Sequence, residues 1–208
     1  MSEIDFSMRM DSDDSIPEHV LTNIKKTRPD TKGPKTLAVI MIIGAILIGF
    51  IGYGNWSNSN IEDLNDSDVE EVLTAARDAG ENVSNEDYQK FHDDARESGA
   101  YTVLGWSLMI SSVLLLVGGV LLFRLNKLGT KLGIAGSTIA FSFGMWGQYQ
   151  LKGAAQTHLS ESLAMAYELQ FYLCGVCMFA CGMMSALPLL TAGARAALDP
   201  VKIYHEEE

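Results

Sequence analysis

The sequence has very little cysteine: three in 208 residues, all between Cys174 and Cys181. None lies in a polar segment, so a small outer domain stapled by disulfides is not expected. Positive charge is also short. Fifteen Lys and Arg stand against 26 Asp and Glu, a formal net charge of −11. Nucleic acid is therefore excluded as a partner, because phosphate binding needs basic surface. The chain has no Gly-rich phosphate loop, zinc-ligand set or nucleophile elbow, and no cofactor is expected. Its four histidines (His19, His92, His158, His205) fall in four separate segments.

A further absence is positional. Four apolar blocks, 37–54, 101–123, 132–149 and 169–190, contain no Asp, Glu, Lys, Arg or His. A helix of about 20 mostly apolar residues crosses the hydrocarbon core of a bilayer. The third block is the most polar, with Ser137, Thr138, Ser142 and Gln148. One such block would suit a buried soluble helix. Four blocks leave nothing to cover them with a polar face. The expected fold is all-α: a four-helix transmembrane bundle with a small acidic helical extracytoplasmic loop domain. The missing intramembrane charge argues against an ion-coupled transporter or voltage sensor, which use such groups.

Charge also orients the chain, since cytoplasmic loops carry excess Lys and Arg. Lys25, Lys26, Arg28, Lys32 and Lys35 precede the first block, Arg124, Lys127 and Lys131 follow the second, and Arg195 and Lys202 follow the fourth. Residues 55–100 instead hold thirteen acidic residues against Arg77, Lys90 and Arg96, and 150–168 hold Lys152, Glu161 and Glu168. Segments 1–36, 124–131 and 191–208 are thus expected in the cytoplasm, with 55–100 and 150–168 outside a cell membrane crossed four times. Aromatic residues favour the interface and mark the outer ends: Tyr53, Trp56, Tyr101, Trp106, Trp146, Tyr149, Tyr167 and Tyr172. Polar residues 1–36 ahead of the first block predict a retained anchor, not a cleaved signal peptide.

Outside the blocks, Ser15-Ile16-Pro17-Glu18 resembles a capping box, followed by Ile16, Val20, Leu21 and Ile24 at helical spacing. This predicts a short surface helix in an otherwise disordered 1–36 tail. In the outer loop, Ser67-Asp68-Val69-Glu70 opens a helix with Val69, Val72, Leu73 and Ala76 inward, and Ser84-Asn85-Glu86-Asp87 opens another with Tyr88, Phe91 and Ala95 inward. Asp63, Asn65 and Ser67 match the first ligand positions of a calcium loop, but Asp68 and Thr74 stand where that loop needs Gly and Glu. No metal is therefore expected. Sequons begin at Asn55, Asn65 and Asn82.

Small residues recur at about four-residue spacing. Gly129, Gly133, Ser137 and Ala140 form one row, Gly136, Ala140 and Gly144 another, and Cys177, Cys181 and Ser185 a third. Such rows let membrane helices approach closely. The leading expectation is a membrane protein that acts through contacts, as an interaction protein or accessory subunit, with the bilayer and a membrane-protein partner or a second copy as partners.

Cys174-Gly175-Val176-Cys177 supplies an alternative, because a CxxC pair near a helix start can cycle between dithiol and disulfide. With a large loop after the first span, this arrangement is similar to the vitamin K epoxide reductase family. The resemblance implies a quinone-linked thiol oxidoreductase with Cys174 and Cys177 as its redox pair. Residues 55–100 contain no cysteine, so that family's relay pair has no counterpart. A second alternative is a small channel or facilitator lined by Ser137, Thr138, Ser142 and Gln148.

Overall fold

The computed structural model describes residues 29–78, 80–81 and 83–198. The surface helix expected around Ile16–Ile24, the sequon at Asn82 and the tail 199–208 lie outside the described residues. The described chain is helical throughout, with no strand. In chain order the helices are α1 (Lys32–Ser59), α2 (Asp66–Asp78), α3 (Asn85–Glu97), α4 (Ala100–Phe123), α5 (Lys127–Ile139), α6 (Met145–His158), α7 (Glu161–Leu190) and α8 (Ala192–Leu198). A π-helical turn, Ala140–Gly144, joins α5 to α6 without a break.

Three helices, α1, α4 and α7, are long and apolar enough to cross a membrane. Each shows large apolar side chains outward, such as Phe50 on α1, Val113 on α4 and Phe179 on α7. A helix apolar on all sides needs an apolar surrounding, and a bilayer supplies it.

α1 and the α5–α6 rod run past their apolar blocks at both ends, and α7 runs past its block at the start. Lys127–Lys131 is the first turn of α5, so the connection after α4 shrinks to three residues, 124–126. Leu125 sits there at φ 57, with its N–H donating to Leu122 O and the Asn126 N–H to Leu121 O. These bonds satisfy carbonyls left open at the helix end, and the Asn126 carboxamide oxygen caps α5 by accepting from Leu128 N at 2.9 Å. The segment 150–168 is also mostly helix, split between α6 and α7.

Close packing sets the framework. α1 lies along α4, the most extensive pairing in the fold. Small residues allow it: a methyl group built at Gly52 would lie 2.9 Å from Met109 N, and one at Gly119 2.8 Å from Ile42 Cγ1. At one end Ala38, Met41, Leu122 and Leu198 pack together, so the start of α1, the α4–α5 turn and α8 share that end. There Asp30 N donates to Gly193 O at 3.0 Å.

At the other end α3 seats Phe91 and Ala95 against Ala100, Tyr101 and Leu104 of α4 and Leu151, Ala154 and Ala155 of α6. Tyr167 of α7 packs against Phe91 with ring centroids 5.0 Å apart and the rings tilted by 50°. α2 adds Val69 and Leu73, which pack with Val83. Val72, placed on the inward face by the sequence reading, is instead 49% exposed. Its neighbours Val69 and Leu73 already fill the contact, and a helix of this width has room for only one stripe.

Polar contacts lock this cap. Arg77 reaches both Glu70 oxygens (2.9 and 2.8 Å), Asn85 Oδ1 (2.7 Å) and Val83 O (3.3 Å), tying α2 to the α2–α3 turn. Gln89 accepts from Leu64 N at 3.1 Å and donates to Glu62 O at 3.0 Å, holding the segment after α1. Lys152 on α6 pairs with Glu168 on α7 at 2.7 Å. Gly99, at φ 75, takes the left-handed conformation that turns the chain from α3 into α4.

Candidate functional site

Where α1, α4, the π turn and α7 face one another, they line a cavity of about 290 Å³ that is open at its side, where Ile51, Leu173 and Cys177 are exposed. Ile48 and Ile51 come from α1, Leu108 and Leu115 from α4, Ser137 and Ala140 from the α5–π junction, Gln148 from α6, and Leu173, Cys174, Cys177 and Cys181 from α7. No lining residue is ionisable to a carboxylate or a cation. π turns inside α-helices recur at functional sites, and this one is flanked by Ser137 and Gln148, both lining the cavity.

Two buried polar side chains are locked into its wall, and the exposed Gln170 of α7 also lines it. Gln148 is 6% exposed, and its Nε2 lies 4.0 Å from Cys174 Sγ, a weak contact. Ser137 is 4% exposed, and its Oγ has no hydrogen-bond partner. The other two polar residues of the expected stripe are elsewhere. Thr138 is exposed and donates to Ile134 O at 2.8 Å, and Ser142 is exposed, so the four do not form one line.

All three cysteines are free thiols. Cys174 and Cys181 are half-buried and Cys177 is exposed. A thiolate is favoured beside a cation, at a helix N-terminus or within a CxxC pair; Cys174 and Cys177 form such a pair, and the cavity wall adds no cation.

The small-residue rows divide by role. Gly129 backs onto Leu122 N and Gly118 O of α4, and Gly136 faces Ser111 O of α4. Gly133 meets Met41 of α1 and Ser185 of α7, Gly144 meets Met178, and Ser137 faces Gly182. On α7, Ser185 is buried and bonds Cys181 O at 2.9 Å, whereas Cys177 is exposed, so that row packs only at its inner part. Tight contacts at Gly105, Gly118, Gly119 and Gly147 were not singled out from the sequence. Gly105, Gly118 and Gly119 lie in stretches where every neighbour is apolar or small, so no face stands out, and beside Gly147 only Gln148 is polar.

Asp63, Asn65 and Ser67 are exposed and serve the entry to α2, where the Asn65 carbonyl accepts from Asp68 N and Val69 N. Among the described residues, no group of three or more His, Cys, Asp or Glu is placed to hold a metal ion. Of the sequons, Asn55 lies in the last turns of α1 with its amide donating to Ile51 O at 2.9 Å, and Asn65 is exposed ahead of α2. No family model matches the chain, and no curated protein or solved structure matches it.

Proposed function

We propose that this is a multi-pass membrane protein that crosses the bilayer four times and acts by binding another transmembrane helix. In this reading the fourth crossing is the continuous rod α5–π–α6, whose central part is the apolar block 132–149. Both termini face the cytoplasm, because Lys32, Lys35, Arg124, Lys127, Lys131 and Arg195 belong to the end shared by α8 and the start of α1. The acidic α2–α3 cap then lies outside.

The observation that carries the reading is the bare side of α7. Only 11% of its most apolar stretch is buried within the chain, against 39% for α4. The outward residues Leu169, Leu173, Val176, Ala180, Met183, Leu187 and Leu190 follow each other at alternating spacings of four and three. That is the seam by which helices interlock along their length. Any helix covered on one side shows this spacing; what sets α7 apart is how little of it the rest of the chain covers. The occupant is a helix of another membrane protein or α7 of a second copy.

A photocrosslinking residue placed at Val176 tests this in native membranes, with Val113 on the outward side of α4 as control. A protein adduct of discrete mass from Val176 and none from Val113 supports the reading, and the adduct's mass separates a second copy from a different protein. Lipid adducts alone from both positions sink it. Thiol mass-tagging with and without reduction tests the rival chemistry: a reversible disulfide between Cys174 and Cys177 would favour the oxidoreductase.

A further inference from the structure

We propose that the cavity between α1, α4, the π turn and α7 binds a small neutral lipophile with a single hydroxyl or carbonyl head, taken up sideways from the bilayer. Four observations carry this. The volume, about 290 Å³, is at the lower end of small-molecule sites. The wall is apolar and uncharged, which rejects ions and zwitterionic headgroups, because a charge there would be desolvated without a counter-charge.

Within that wall sit two buried polar side chains without good partners of their own. Ser137 Oγ has none, and the Gln148 amide has only the thiol contact at 4.0 Å. A buried polar group without a partner is costly. Gln148 offers both a donor and an acceptor, so one hydroxyl or carbonyl head placed beside it would be satisfied, whereas Ser137, eleven residues back on the same rod and roughly 15 Å away along it, lies too far off to share that head. A bound water would need two to four polar partners to stay, and the mostly hydrocarbon wall favours an amphiphile over water.

The fourth observation is the route. Ser137 and Met178 line the cavity and also an open groove of about 350 Å³ between α5 and α7. The cavity and the groove therefore adjoin at these two side chains. Gly182 leaves room beside Ser137: a methyl built there would still lie 3.6 Å from Ser137 Cβ. Met178, an unbranched and adaptable side chain, can swing to admit a chain.

The test uses the full chain in nanodiscs and a decan-1-ol analogue carrying a photoreactive diazirine. Adducts are mapped by peptide mass spectrometry. The expected result is labelling of Gln148, Cys174 or Met178, competed by decan-1-ol at least tenfold better than by decane. Gln148→Leu should abolish that preference, and Ala140→Leu, which fills the cavity, should abolish the labelling. The wild-type competition stands alone if either variant fails to fold. Adducts confined to outward residues such as Phe179 and Leu187, or equal competition by decane and decan-1-ol, would overturn the proposal.

Discussion

Gly105 on α4 meets the backbone of Trp56 on α1: a methyl group built at Gly105 would lie 2.7 Å from Trp56 N and 2.8 Å from its Cα. The obstacle is main chain, so no rotamer change relieves it, and the two helices must separate. Gly54, two residues before Trp56, has nothing within 4 Å of the same added atom. Gly105→Ala is therefore expected to destabilise the protein by about 1–3 kcal/mol, the usual cost of overpacking. Gly54→Ala should be neutral, or stabilising by up to about 1 kcal/mol through helix propensity. Thermal unfolding of both variants in detergent checks the contrast. Equal effects would mean that α1 and α4 do not approach here.

The cap should come loose when its anchor is cut. Phe91 is 1% exposed and touches α4, α6 and α7 together through its cluster and the Tyr167 ring. Phe91→Ala is expected to cost about 3–5 kcal/mol, the range for truncating a buried Phe. Most of that loss should appear locally, as faster proteolysis within 61–98, before the membrane helices unfold. Val72→Ala, at an exposed position of α2, should leave the cleavage rate within about twofold, because surface changes stay near ±0.5 kcal/mol.

How much of this was legible in the sequence differs between the two environments. In the loop 55–100 water lies on one side, so the stripe Tyr88, Phe91, Ala95 showed the buried side of α3, and Ser84 with Asp87 showed its start. In the apolar blocks both sides of every helix are apolar. Period then carries no information, which is why Gly105, Gly118 and Gly147 passed unnoticed. The π turn has no sequence signature of its own: Ala140-Phe141-Ser142-Phe143-Gly144 reads as ordinary helix. The cavity was invisible for the same reason, since it depends on which side of four segments faces inward. Ser137 and Gln148 could be named as polar from the sequence, but only the packing separates them from Thr138 and Ser142.

The thiols should react in an order set by exposure. Cys177 is exposed, while Cys174 and Cys181 are half-buried. A small, neutral, membrane-permeant maleimide is expected to modify Cys177 first, with Cys174 and Cys181 slower by about tenfold or more. Peptide mass spectrometry over a time course reads the order. Cys174 reacting first would point to activation of that thiol and would favour the redox alternative over the contact reading.

The cap should also respond to acid, and Asp87 is one group through which it does so. The Ser84 hydroxyl donates to Asp87 Oδ2 at 2.6 Å while accepting from Asp87 N at 3.1 Å, closing the start of α3. This bond holds the Asp87 carboxyl below its ordinary value of 3.8. A carboxyl depressed by folding adds stability above its ordinary pKa, and loses it as pH falls through the lowered folded value. Near neutral pH the contribution is complete, so α3 should be insensitive from pH 5 to 8 as far as this group is concerned. Below about pH 4 the first turn of α3 should fray as Asp87 takes up a proton. Ser84→Ala removes the donor and the cap together. It should raise the titration midpoint of Asp87 toward the ordinary value and speed amide exchange at residues 86–88 at every pH. Carboxyl-detected NMR of Asp87 follows the first effect, and hydrogen-exchange mass spectrometry follows the second. An unchanged Asp87 midpoint in Ser84→Ala would show that some other group sets the charge at the start of α3.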